Sequence, residues 1–239
     1  MLNQINFAKI LFLDIETVPQ VYHFDTLSSE TRTLFEQKTR FQKKEENTYS
    51  ELYEQKAGIF AEFGKIVCIS VGMVHENKLN KSIRIKSFAH DDEKTLLKQF
   101  KTLLDDYYNT PYHSLCGHNA KEFDIPFICR RMLIHSIALP NILDIAGKKP
   151  WEINHLDTME LWKFGDYKAY TSLALLCHVF SIPTPKDDIS GADVARVYYE
   201  EQDLARIASY CEKDVIALIQ LFLRMKGDAL VPEPCIEVS

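Results

Sequence analysis

The run Lys9 to Ile15, KILFLDI, constrains the fold more than any other stretch of the chain. Its apolar residues follow one another with no polar alternation. Such a run predicts a strand covered on both faces, the central strand of a layered α/β sheet. Pro19 predicts where it stops. The run meets two acids, Asp14 and Glu16. Residues i and i+2 of a strand face the same side, so the two carboxylates can converge on one point. Acids at the end of a buried strand are costly unless a cation compensates them or the strand end enters solvent. Hard oxygen donors of this kind suit magnesium or manganese.

The rest of the pattern supports an α/β chain. Ile66 to Val74, IVCISVGMV, is rich in β-branched residues and predicts a second strand. Lys81 to Phe88 sets Ile83 and Ile85 against Arg84 and Lys86, which predicts a half-exposed third strand. Ser114 to Gly117 reads as a short fourth. Asp91 and Asp92 cap a helix carrying Leu96, Leu97, Phe100, Leu103 and Leu104. Further helices are predicted over 123–135 and over 171–180, the latter stopped by Pro183 and Pro185. Asp203 to Lys226 is the longest helical pattern, with Leu204, Ile207, Ala208, Cys211, Val215, Leu218, Ile219 and Phe222 on one stripe and Gly227 at its end. Between the first two strands, residues 20–63 hold six Lys/Arg and eight Asp/Glu, with Leu27, Leu34, Phe35, Phe41, Tyr49, Leu52 and Tyr53 at helix-like spacing. This stretch reads as a helical insertion covering a site, or as a surface loop. With no internal repeat, low-complexity tract or Gly/Ser linker, 239 residues suit one domain over 1–239 with an insertion at about 20–63.

Composition removes several functional classes. The formal charge is 28 − 34 = −6, which excludes a basic nucleic-acid coat protein but not an enzyme that handles nucleic acid through bound metal and a local basic rim. No apolar run approaches the ~18 residues of a membrane helix. Met1 to Glu16 lacks the basic start and small-residue cleavage site of a signal peptide. Six scattered cysteines without a CxxC pair predict reduced thiols in a cytoplasmic protein. The eight histidines form no HxH or HExxH pattern, and no GxxxxGK[ST] or GxGxxG is present.

Two further acidic motifs follow the first. Gly117 to Asp124, GHNAKEFD, joins the fourth strand to a helix and puts Asp124 in that helix's first turn. Alone, Asp124 reads as a helix cap, Phe123 as a core residue and Asn119 as a turn former. Tyr210 and Asp214 stand i and i+4 on an otherwise apolar helix face. Alone, Asp214 reads as an inward acid paired with a base. Together the order is DxE, then N-x3-F-D, then Y-x3-D. It resembles the three motifs of the DEDD, or DnaQ-like, 3′→5′ exonucleases of the tyrosine branch. The stretches LFLDIETVP (11–19), EFGKIVCISVG (62–72), GHNAKEFDIPFICRR (117–131), HLDTMELWKF (155–164), SLALLCHVFSIP (172–183) and YCEKDVIALIQLFLR (210–224) are similar to predicted exonucleases related to the proofreading domain of family-B DNA polymerases.

That resemblance implies a ribonuclease H-like fold, a mixed five-stranded sheet flanked by helices. It implies Asp14, Glu16, Asp124 and Asp214 as ligands of two Mg2+ or Mn2+ ions, with Asp14 shared between them, and Tyr210 as the residue that orients the attacking water. Thr17 and Val18 would approach the 3′-terminal nucleotide through backbone contacts and an apolar edge. Asn119 and Phe123 would hold the strand and stack on its bases. The substrate would be a single-stranded DNA 3′ end, releasing nucleoside 5′-monophosphates. The alternatives are RNA 3′-end trimming of the ribonuclease D type and a non-catalytic binding module on the same fold. Asp157 lies near the site in related folds but reads better as a helix N-cap before Thr158. Lys121, Arg130, Arg131, Lys148 and Lys149 are the candidate phosphate contacts, each otherwise a solvated charge. Trp151 and Trp162 read as packing residues. No membrane is implied, and no protein partner is identified.

Overall fold

A central position is what the apolar first strand requires, and β1 (Ile10–Pro19) has it. The structure, a computed structural model, describes residues 5–76, 80–166, 168–183 and 189–239. β1 pairs in parallel with β4 (Ser114–Gly117) on one side and antiparallel with β2 (Gly64–Glu76) on the other. β3 (Lys81–Ala89) continues the sheet from β2. β5 (Leu156–Asp157) and β6 (Ile236–Val238) close its edges, giving the order β5-β4-β1-β2-β3-β6. The sheet therefore has six strands and not the expected five. The extra strand, β6, is three residues of C-terminal tail that pair Ile236 with Ile83 in parallel. A segment that short shows no period in the sequence.

Alternation along β1 sorts its residues between two layers. Leu11, Leu13 and Ile15 pack with α3 (Glu93–Tyr107) and α4 (Asp124–Ile134) through Leu96, Leu97, Phe100, Phe127 and Ile128. Ile10 and Phe12 pack the other way, on α8 (Leu204–Lys226), against Val215, Leu218, Ile219 and Phe222. Asp14 and Glu16 share the phase of Ile10 and Phe12, so they face α8. The helix lies close enough that Gly72 of β2 has no room for a side chain: a Cβ there would stand 2.6 Å from Ile219 Cδ1 and 2.8 Å from Val215 Cγ1. Asp203 caps the start of α8 by accepting the Arg206 N–H, and Gly227 ends it at φ +85°.

Residues 20–63 carry α1 (Ser29–Thr39) and α2 (Tyr49–Lys56). Ser28 caps the first, and Thr48 with Glu51 forms a capping box on the second. Their apolar faces make a separate small core of Phe24, Phe35, Leu52, Tyr53, Ala57 and Phe63, with the Phe35 and Tyr53 rings 5.0 Å apart edge to face. Leu34 and Phe41 stay outside it, Phe41 being 86% exposed. Tyr22 stacks on Tyr199 at 4.9 Å and ties this unit to α7 (Val194–Arg196) and the π turn Val197–Glu201 that follows it.

Three sequence expectations change. Arg131 is not a solvated charge or a phosphate contact. It is 3% exposed and pairs with buried Glu93, Nη2 to Oε2 2.5 Å, and donates to the Ala61 carbonyl. Glu93 also accepts the Ile66 N–H at 2.8 Å, so the pair ties α3 and α4 to β2. Trp151 is not a packing residue: it is 76% exposed, with Lys149 over its ring. Lys121 is ion-paired to Glu160 at 2.7 Å. Trp162 does pack, edge to face with Phe180. α5 (Thr158–Lys163) and α6 (Leu173–Val179) complete the fold, and Pro183 follows α6. Pro185, the other expected stop, lies outside the described residues. No described helix is long and apolar enough to cross a membrane.

Candidate active site

The site forms where β1, α4 and α8 meet. Asp14 and Glu16 arrive on the α8 side of β1, and a register shift between Glu16 and Thr17 breaks the ladder to β2 just there. Such irregularities re-aim side chains beside functional sites. Asp124 is the first residue of α4, 4% exposed, and its Oδ1 accepts the Ile15 N–H at 3.2 Å. The bond locks the α4 start against the strand between the two acids. From α8, Tyr210 stands one turn before Asp214, and its hydroxyl lies within reach of the charges of Asp214, Glu16 and Asp14.

The loop that presents Asp124 is set by its backbone. Gly117 must be glycine, since a Cβ would meet Ala120 Cβ at 2.3 Å. Asn119 sits at φ +63°, a left-handed conformation that asparagine tolerates well. Its N–H and that of Lys121 donate to Asp157 at 2.9 and 3.1 Å, while Asp157 also accepts the Met159 N–H at 2.9 Å. Asp157 is thus the α5 N-cap expected from the sequence, and it pins the Gly117–Asp124 loop as well. His118 bridges Thr158 Oγ1 and the Thr171 carbonyl.

Burial and mutual repulsion dominate the electrostatics. Burial first, then the charges of Asp124 and Asp214, push the Asp14 carboxyl well above the carboxylate range. Burial and Asp14 do the same to Glu16. Asp124 is pushed up to about 7 by burial, against the pull of its own and the Ile15 N–H groups. Burial, Asp214 and Glu16 raise the Tyr210 phenol, so it stays protonated. Glu16 is 7% exposed, yet its carboxylate has no hydrogen-bond or ion-pair partner among the described residues. A buried acid without a partner beside other acids is what a cation relieves, and an all-oxygen carboxylate set fits Mg2+ or Mn2+. Asp14, Glu16, Asp124 and Asp214 are the residues that could hold such ions.

The five motif residues therefore come together. The flanking ones divide. Thr17 is half-buried beside the register shift. Val18 is fully buried among Val67, Val194, Val197 and Ile207, so its side chain offers no apolar edge to a ligand. It lies on the same side of β1 as Asp14 and Glu16, where α7, the π turn and the start of α8 cover it. Asn119 is half-buried on the loop. Phe123 packs half-buried against the α3/α4 core, its ring 5.5 Å from Phe127. One neighbour was missed: Cys211, whose Sγ lies 3.5 Å from Asp14 Oδ2. A single thiol in an apolar stripe carries no pattern, and its only signal is its place beside Tyr210.

No curated protein matches the chain. The structure of the family B DNA polymerase from the hyperthermophilic archaeon Pyrobaculum calidifontis matches 90% of the chain at 12% identity and a TM-score of 0.54. The chain spans 24% of that polymerase's length. The RNase domain of the yeast Pop2 protein matches 92% of the chain, over 77% of its own, at 10% identity and a TM-score of 0.47. The polymerase match shows a shared fold. The family model described as "predicted 3′-5′ exonuclease related to the exonuclease domain of PolB" matches residues 59–229, a span that holds Asp124, Tyr210 and Asp214, and the chain belongs to that family.

Proposed function

We propose that the chain hydrolyses the last phosphodiester of a single-stranded DNA 3′ end and releases a nucleoside 5′-monophosphate. The observation that carries this reading is the position of Asp14, which feels the charges of both Asp124 and Asp214 at the junction of three elements. A carboxylate so placed suits sharing between two cations. Bound divalent cations would supply a nucleophilic water at neutral pH and offset charge on the attacking and leaving oxygens. Asp14, Glu16, Asp124 and Asp214 hold that charge in place. Water attacks phosphorus, the bond from phosphorus to the 3′ oxygen of the preceding nucleotide breaks, and that oxygen takes a proton. Tyr210, kept protonated, orients the water beside Asp214 and does not act as the base. The half-buried Phe123 and Asn119 flank the path of the strand, and Thr17 lines it from β1.

An acidic chain suits shallow contact with the polymer, confined to the terminal nucleotides. The unit over 20–63 leaves the sheet directly after β1 and would limit entry to single strands and frayed ends, within one domain. Six free thiols suit a reducing cytoplasm. A binding module on this fold would have no use for four converging acids. The substrate is tested with 5′-labelled DNA and RNA of one sequence, single-stranded and as duplex, with Mn2+ and product sizing. The expected result is stepwise loss of mononucleotides from single-stranded DNA. Faster shortening of RNA would move the assignment to RNA trimming, and internal cuts would overturn the exonuclease reading.

A further inference from the structure

Cys211 is fully buried on α8, between Tyr210 and the Asp214 turn, and its Sγ lies 3.5 Å from both the carbonyl oxygen and Oδ2 of Asp14. The donor atoms of Asp14, Glu16 and Cys211 all lie within 4.8 Å of one another. Glu16, 7% exposed and without a hydrogen-bond partner among the described residues, is directed into the same cluster. Magnesium has no use for sulfur. An ion of the zinc class does: thiolate and carboxylate oxygen are matched donors for it, at ~2.3 and ~2.0 Å, in tetrahedral geometry. Those two bonds at a tetrahedral angle put sulfur and oxygen about 3.5 Å apart. The spacing already present between Cys211 Sγ and Asp14 Oδ2 is the one such an ion needs.

We propose that Asp14, Glu16 and Cys211 form a second mode of cation binding at this site, selective for a thiophilic divalent ion such as Zn2+, which competes with the hard cation for Asp14 and shuts the site down. On binding, the Cys211 S–H bond breaks heterolytically: the proton leaves to water and the sulfur lone pair forms the bond to the ion. No oxidant is involved. Three protein donors leave one position for water. Asp14 then serves the thiophilic ion and is lost to the arrangement that the exonuclease reading requires. The inference rests on that reading only in taking these carboxylates as cation ligands; it is independent of the polymer cleaved.

The test uses Co2+ as a spectroscopic stand-in for Zn2+ on the full chain, beside an electron paramagnetic resonance titration with Mn2+. Wild type should show a thiolate-to-cobalt charge-transfer band that saturates at one equivalent and is displaced by Zn2+. The band should be absent from Cys211→Ser and Cys211→Ala, and present in Cys68→Ser, which removes the buried thiol that stands opposite Glu16 on β2 and packs in one cluster with Cys211. Zn2+ affinity in Cys211→Ser should fall by about 10²-fold or more, since even outer-shell partners cost 10–100-fold. Mn2+ affinity should be kept. Wild type with Mn2+ bound but no cobalt–thiolate band overturns the inference and leaves the exonuclease reading standing. A band that survives in both Cys211 variants also overturns it. Wild type that binds neither ion removes the cation reading itself, and the inference with it.

Discussion

At the residue scale the acids and the tyrosine divide their work by environment. Asp14 is half-buried and feels the charges of both Asp124 and Asp214. Tyr210 is held protonated by burial and by those same acids, so it is a donor and not a base. Tyr210→Phe should slow cleavage by about 10²–10⁴-fold and leave cation affinity nearly unchanged. Single-turnover kinetics and calorimetric metal titration check the two halves separately, and a large loss of metal affinity would show a structural role instead. Most of the site was legible in the sequence because its residues come in fixed spacings on known elements: i and i+2 on a strand, i and i+4 on a helix. Val18 and Cys211 were not. Val18 follows the motif in sequence and stays on the acids' side of β1, but α7, the π turn and the start of α8 close over it, and Cys211 reads as one more apolar position of the α8 stripe. Their roles depend on which side of the element faces what, and that needs the third dimension.

At the element scale, strands and helices with a clear period are where the sequence places them. Ser114–Gly117 matches to the residue, and α8 runs from an Asp203 cap to a Gly227 stop. β6 escapes because pairing along β3, and not side-chain periodicity, makes it a strand. Arg131 misleads because an arginine on a helix end is most often solvated; here Glu93 meets it under the α3–α4 contact. Removing one partner of a buried pair leaves an uncompensated charge. Arg131→Ala should therefore cost about 3–5 kcal/mol, read as a drop in the denaturation midpoint at unchanged slope. A loss below about 1 kcal/mol would mean that the pair is solvated in solution, as exposed pairs are. The segment 20–63 was legible as helical spacing but not as a packed unit, since its core is assembled from both helices and the flanking Phe24 and Phe63.

At the scale of the whole molecule, the cation-free protein carries a cost in its own centre. Asp124 titrates in the folded state at about 7, against an ordinary value of 3.8. A carboxyl raised by folding gives stability that is complete below pH ~4 and lost as the pH climbs through ~7. His155, held neutral down to about 4 by burial, pulls the opposite way over part of that range. The comparison of wild type with Asp124→Asn isolates the carboxyl. In chelator, the variant's melting temperature should rise relative to wild type between pH 4 and 7, and saturating Mn2+ should stabilise wild type more than the variant at pH 7. A difference that stays constant with pH would mean that Asp124 is solvated in the free protein.

The measurement that bears most directly on the whole assignment is cleavage of a 5′-labelled single strand by wild type and by Asp14→Ala, each shown to be folded by circular dichroism, with Mn2+ and with chelator. Wild type should shorten the strand one nucleotide at a time from its 3′ end in Mn2+ and not in chelator. Asp14→Ala should lose at least about 10²-fold, the loss expected when electrostatic stabilisation at the reacting phosphate is removed. Near-normal stepwise shortening by the folded Asp14→Ala protein would contradict the placement of the cation centre on β1.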